Sequence, residues 1–193
     1  MARPKEFDRD TALQRAITLF REKGFAAAST EELLAAMGIG RQSMYDTFGD
    51  KRGLFLAALE RYIADGMEAL SRDMAAGPTP LAGLEAALKA FAFRAGSGGE
   101  GCMVVTAVFE FGRSDLDVAA LSDAAGFTQL QSIAQQLKRA QALGEVSAQL
   151  DITAAAAFVG SSMAGMRVAA RNGASVAALE QIGGMTMGAL RTK

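Results

Sequence analysis

The sequence predicts an all-α fold of about nine helices. Three observations carry that prediction. Apolar residues recur every three to four positions in almost every segment. No alternating strand–turn–strand pattern occurs. Glycine and proline breakers fall between the periodic stretches, with Gly77-Pro-Thr-Pro80 the clearest. Half of the 193 residues are hydrophobic, which is enough to bury a core and too many for a disordered chain.

The elements follow in order. The first helix starts near Asp8 or Asp10, turns Leu13, Ala16, Ile17 and Phe20 inward and ends at Gly24, a natural left-handed terminator. Ser29-Thr-Glu-Glu32 fits a capping box, which opens a second helix running to about Ala36. Met37-Gly-Ile-Gly40 is a tight turn, and a short third helix covers Arg41 to Phe48. Asp50 caps a longer fourth helix that reaches about Met74. Beyond the proline turn, helices are expected at Leu81–Arg94, Cys102–Phe111, Asp117–Leu143, Ile152–Asn172 and Ser175–Arg191. The stretch Gly96-Ser-Gly-Gly-Glu-Gly101 reads as a flexible loop. It formally matches a dinucleotide fingerprint, but no βαβ unit surrounds it.

Composition excludes several kinds of chemistry. Cys102 is the single cysteine and there is no histidine, so an intramolecular disulfide, a Cys/His zinc site and a serine–histidine triad are all ruled out. No cofactor motif or metal-ligand set is found, and no enzymatic role is expected. The chain carries 20 basic and 21 acidic residues. Any nucleic-acid contact must therefore be local, and residues 1–55 hold nine basic against eight acidic side chains. No secretory signal opens the chain, and the apolar run from Asp151 to Arg167 is shorter than the ~20 residues that span a bilayer. A soluble, cytoplasmic protein without membrane contact is expected.

The first three helices, with a glycine turn between the second and third, make a helix-turn-helix. Met44 and Phe48, four residues apart, share a small core with Ile17, Phe20, Phe25, Leu33, Leu34 and Ile39. The other face of the third helix then presents Arg41, Gln42, Ser43, Tyr45, Asp46 and Thr47, hydrogen-bonding side chains on a rod that fits a major groove. Arg41 and Gln42, near the helix start, are the best candidates for reading base edges. Lys51 opposes the dipole of the fourth helix unless an anion sits there, and that makes it a candidate phosphate ligand. Thr30 and the Tyr45 hydroxyl are further candidates. A division into residues 1–52 and 53–193 follows.

Residues 9–55 resemble the DNA-binding domain of the TetR/AcrR family of bacterial transcriptional regulators. The matching text is Ala16-Ile-Thr-Leu-Phe20, Gly24-Phe25, Ser29-Thr30, Met37-Gly-Ile39 and Ser43-Met-Tyr45-Asp-Thr-Phe48-Gly-Asp-Lys51, followed by Leu54-Phe55. Tyrosine, phenylalanine and lysine at three-residue intervals form the specific part. Two positions depart from the family pattern. Gly40 stands where serine or threonine commonly caps the recognition helix, and Gln42 replaces a small residue.

The resemblance implies a repressor that binds a palindromic double-stranded operator as a homodimer and is released by a small molecule. It assigns DNA contact to Thr30, Arg41, Gln42, Ser43, Tyr45, Thr47 and Lys51. It also implies a partly apolar effector enclosed by the C-terminal helices, which makes Phe91, Arg94, Cys102, Met103, Thr106, Phe109, Glu110, Phe127, Met163 and Arg167 candidate pocket residues. Cys102, at the expected start of a helix, is a candidate reactive thiol or a small buried hydrophobe. Ala156, Gly160 and Ala164 repeat every fourth residue and let helix axes approach closely. With Gly183 and Met187 they are the expected dimer interface, since the last two helices of each subunit pair in the family. The alternative is a helical small-molecule-binding protein or enzyme with no DNA role.

Overall fold

The computed structural model describes residues 7–97 and 101–191. Among them are nine helices and no strand: α1 (Arg9–Ala27), α2 (Thr30–Met37), α3 (Arg41–Phe48), α4 (Lys51–Ala75), α5 (Pro80–Ser97), α6 (Met103–Phe111), α7 (Leu116–Ala142), α8 (Ile152–Arg171) and α9 (Val176–Leu190). Capping chemistry sets most of the starts. Asp8, Ser29, Asp50, Asp115, Asp151 and Ser175 each accept a backbone N–H from the first turn that follows. Pro80 takes the first position of α5, where its missing N–H costs nothing.

Two expected boundaries shift. Gly24 breaks α1 as expected (φ 80, ψ −176), but the helix resumes for one further short turn to Ala27. The stretch expected as a loop from Gly96 is helical through Ser97. A Cβ on Gly96 would lie 2.7 Å from the Val176 side chain, so this glycine lets α5 meet the start of α9 closely. Residues 98–100 of that stretch, like residues 1–6 at the N-terminus, lie outside the described residues.

The buried side chains form two clusters. One holds Phe20, Leu33, Met44, Phe55 and Leu59 from α1–α4, and it also takes in Met103 and Ala107 of α6 and Val118 of α7. The other holds Leu84 and Leu88 of α5, Ile133 and Leu137 of α7, Val159 and Met166 of α8, and Leu179 of α9. The first half of α4 belongs to the first cluster, while Leu70 and Met74 belong to the second. The packing therefore does not follow a cut at residue 52, because α4 is a beam common to both clusters and α6 reaches back to the N-terminal one. Truncating one such residue, Phe20→Ala, removes about 3–5 kcal/mol.

The helix α8 is longer than the apolar run suggested. An 18-residue window of this 20-residue helix has a mean hydropathy of 1.3, enough by length and composition alone to cross a membrane. One side of it packs against α7 and α9, with Ala155, Ala156, Val159, Met163 and Met166 turned inward.

Gly24 and α6 are tied together. A carboxylate oxygen of Glu110 lies 2.1 Å from where a Gly24 Cβ would be, and the Thr106 methyl lies 3.2 Å away. Glu110 Oε2 accepts the Phe25 N–H at 2.7 Å, a donor that the kink releases from the helix. Gly24→Ala meets both a backbone region open essentially to glycine, costing about 1–3 kcal/mol, and the displaced carboxylate. Urea unfolding of this variant is expected to show at least that loss, and an unchanged midpoint would refute the account.

Candidate nucleic-acid interface

The sequence around the third helix explains its pose. Ser29 Oγ accepts the Glu32 N–H at 3.2 Å, and Glu32 accepts the Ser29 N–H at 3.0 Å, so the capping box is complete. Lys23 also pairs with Glu32. That ion pair and the Ser29 bonds hold the Glu32 carboxyl at about 2. Gly38 turns the chain with φ 69, its N–H reaching Leu34 and Ala35 carbonyls. Gly40 then starts α3 without a side-chain cap, with no atom within 4 Å of a notional Cβ, so that end stands open. Met44 and Phe48 are buried and anchor the helix. Gly53 secures the exit: a Cβ there would sit 2.1 Å from the Phe48 carbonyl oxygen.

The expected DNA-facing residues gather on this one surface. Arg41, Gln42 and Tyr45 are exposed, while Thr30, Ser43, Thr47 and Lys51 are half-buried. Two of them already have acidic partners. Arg41 Nη2 donates to Glu31 at 2.6 Å, and Gln42 Nε2 donates to Asp46 at 2.8 Å. The Glu31 carboxyl is held below its ordinary range, first by its own backbone N–H and then by Arg41. The Lys51 ammonium lies 4.5 Å above the Phe25 ring, a cation–π contact that fixes it at the start of α4. Beside it, Arg52 makes a two-pronged bond to Asp115 at 2.9 and 2.8 Å and reaches Asp117 at 2.8 Å. This pairing lowers the Asp115 carboxyl. The acidic partners Glu31 and Asp115 were not singled out from the sequence, because each lies on a different element from the arginine it holds.

Known proteins fit the same frame. The pattern described as "Bacterial regulatory proteins, tetR family" matches residues 12–58. The chain is 34% identical over 189 residues to the HTH-type transcriptional repressor ComR of Escherichia coli K12, covering 96% of this chain and 90% of that one. The chain belongs to the TetR family. The HTH-type transcriptional repressor BdcR of the same bacterium is 30% identical over 198 residues, with 98% and 92% coverage. The solved structure of a CifR cysteine mutant complexed with 26-bp double-strand operator DNA superposes with a TM-score of 0.86 at 29% identity, covering 97% of this chain and 99% of that one. This TetR-family protein is a helix-turn-helix regulator of transcription and not an enzyme, so the alternative of a helical enzyme or binding protein without a DNA role falls.

The regulator places its expected pocket residues differently from one another. Phe91, Cys102 and Arg167 come together: the Arg167 guanidinium lies 4.9 Å above the Phe91 ring, and Cys102 meets the Tyr62 hydroxyl. Arg21 joins them, 5.6 Å above the Tyr62 ring and bonded to the Gly101 carbonyl at 3.1 Å. The others do not line this cluster. Met103 is buried in the N-terminal cluster, and Thr106 and Glu110 face α1. The Thr106 hydroxyl oxygen is buried without a partner among the described residues. Arg94 is held by Asp73 at 2.6 Å. Met163 lies in the C-terminal core, its sulfur accepting from Gln129. Phe109 and Phe127 point outward, 79% and 65% exposed. Two open surface clefts, of about 450 and 400 Å3, lie elsewhere, one between the end of α4 and α7 and one along α1. Tyr62 was missed in the sequence, although it continues the inward period of Phe55 and Leu59 by one step.

The expected dimer residues also divide. Ala156 and Met187 are 2% exposed and Gly183 is buried, so all three serve their own chain's core. Gly160 admits Leu130 of α7, whose methyl would lie 2.9 Å from a Cβ. Ala164 alone of the five is exposed. Periodicity identified a stripe of small residues, but another side of α8, with Phe158, Gly165 and Val168, is open to solvent.

Burial and the neighbouring Cys102 push the Tyr62 hydroxyl from 10.0 up to about 12. The unfolded chain therefore releases this proton first, and stability is expected to fall between pH 10 and about pH 12. Alkaline absorbance titration should show a phenol ionising near the upper value that is missing in Tyr62→Phe. If the phenol lost in Tyr62→Phe is instead one that ionises near 10.0, the burial is contradicted.

Proposed function

We propose that the protein is a repressor that grips a palindromic operator as a homodimer and is released by a small, partly apolar effector. The observation that carries this is the α3 surface: polar side chains opposite the buried Met44 and Phe48, flanked by Lys51 and by the open end at Gly40. Ser43, Thr47 and Thr30 border that surface and contact the backbone or base edges, and Tyr45 and Lys51 bind phosphate. The likeness to CifR, whose mutant is complexed with operator DNA, supports the reading. A protein acting on operator DNA works in the cytoplasm.

The dimer forms through the outward faces of α8 and α9. Val168, Ile182 and Met185 are exposed there, and Gly165, Gly184 and Gly188 have open space around a notional Cβ, so another helix can approach closely. The effector enters at Phe91, Tyr62, Cys102 and Arg167. Cys102 is buried, so an electrophile reaches its sulfur only when this layer opens. The signal then travels through α6, which holds the DNA head by the Glu110–Phe25 bond and, through the turn that follows it, by Asp115 and Arg52. Such coupling is a difference in affinity between two states, typically 1–3 kcal/mol.

Selection from random duplexes should enrich a palindrome with half-sites about one helical turn apart. Lys51→Ala is expected to weaken binding to all sequences and to reduce the salt slope by about one. Failure to enrich any palindrome would reject the reading. Light scattering should report a dimer at micromolar concentration. Met185→Glu should weaken it by about tenfold or more, because an isolated charge is costly in an apolar contact. A stable wild-type monomer would exclude the proposed interface.

A further inference from the structure

The recognition surface contains an acidic group at its centre. Counting about 100° per residue around α3, Asp46 lies about 180° and Gln42 about 140° from the middle of the buried Met44–Phe48 pair, whereas Arg41 lies only about 40° from it. The side chains that face furthest from the protein body are therefore an amide and a carboxylate, and they are already joined. Gln42 Nε2 donates to Asp46 Oδ1 at 2.8 Å. Arg41 is drawn sideways to Glu31 on α2. A carboxylate in this place faces a polyanion, so it weakens binding to DNA in general unless it meets a hydrogen-bond donor.

We propose that Asp46 and Gln42 act as one reading unit, with Asp46 selecting a base that presents an amine in the major groove, adenine or cytosine, at one position of each half-site. An ionised carboxylate only accepts hydrogen bonds. In the major groove the cytosine N4 and adenine N6 amino groups donate, while guanine O6 and N7 and thymine O4 accept. A guanine or thymine facing Asp46 leaves acceptor against acceptor in a desolvated groove, and an amine relieves it. Gln42 is aligned by the same bond. One of its amide N–H groups is committed to Asp46, which leaves the carbonyl and the second N–H, the pair that matches adenine N6 and N7. Asp46 thus positions Gln42 as well as reading a base itself.

This inference rests on the DNA-binding reading above. The experiment is random-duplex selection with the full-length dimer, comparing wild type with Asp46→Asn and Asp46→Ala, each first shown by thermal unfolding to be as stable as wild type. Wild type is expected to require A or C at one position per half-site. Asp46→Asn should lower that discrimination by about tenfold or more and raise affinity for unrelated DNA, while the palindrome and its spacing stay the same. Asp46→Ala should in addition weaken the adenine preference of Gln42 at the adjacent position. If both variants keep the wild-type preference at every position and change only overall affinity, Asp46 is a solvated charge and the proposal is overturned. If wild type itself enriches no palindrome, the parent reading fails and takes this one with it.

Discussion

The contact on which the architecture turns is the insertion of Glu110 into the space left by Gly24. A helix break at Gly24 frees the Phe25 N–H from the helical ladder. The acceptor comes from α6, over eighty residues further along the chain. With that bond in place the Phe25 ring packs against Phe55 and Phe111, centroids 5.2 and 5.1 Å apart, and carries Lys51 on its face. The aromatic cluster, the start of α4 and the seat of the recognition helix thus share one anchor, and it belongs to the C-terminal half of the chain.

Much of the fold was legible because local chemistry set it. Asp8, Ser29, Asp50 and Asp151 announce helix starts through their own side chains, and Gly38 and the proline turn mark the stops. Each signal acts within three or four residues, so no tertiary information is needed. The exposed polar face of α3 was legible for the same reason. Met44 and Phe48 fix which side of a short helix is buried, and the remaining side chains follow from the pitch.

What stayed hidden depends on which of several similar faces meets which neighbour. Small residues occur on two sides of α8, and composition does not say that Ala156 turns toward its own core while Gly165 faces out. Phe109 and Phe127 look like core in a sequence, since apolar periodicity records only that some side is buried. The charged partners were hidden in another way. Arg94 and Asp73, or Arg52 and Asp115, pair across distances in sequence that no periodic rule spans.

The cluster that includes Met103, Ala107 and Val118 has a consequence for how such chains can be recombined. The DNA-reading head is covered by side chains contributed from beyond residue 100, so it has no complete interior of its own. A chimera that borrows the first fifty residues of a relative inherits rings shaped for a different α6, with Glu110 facing a foreign bend. Operator preference and the helix that braces it should therefore be exchanged as a set: the head up to the middle of α4 together with α6 and the first turn of α7.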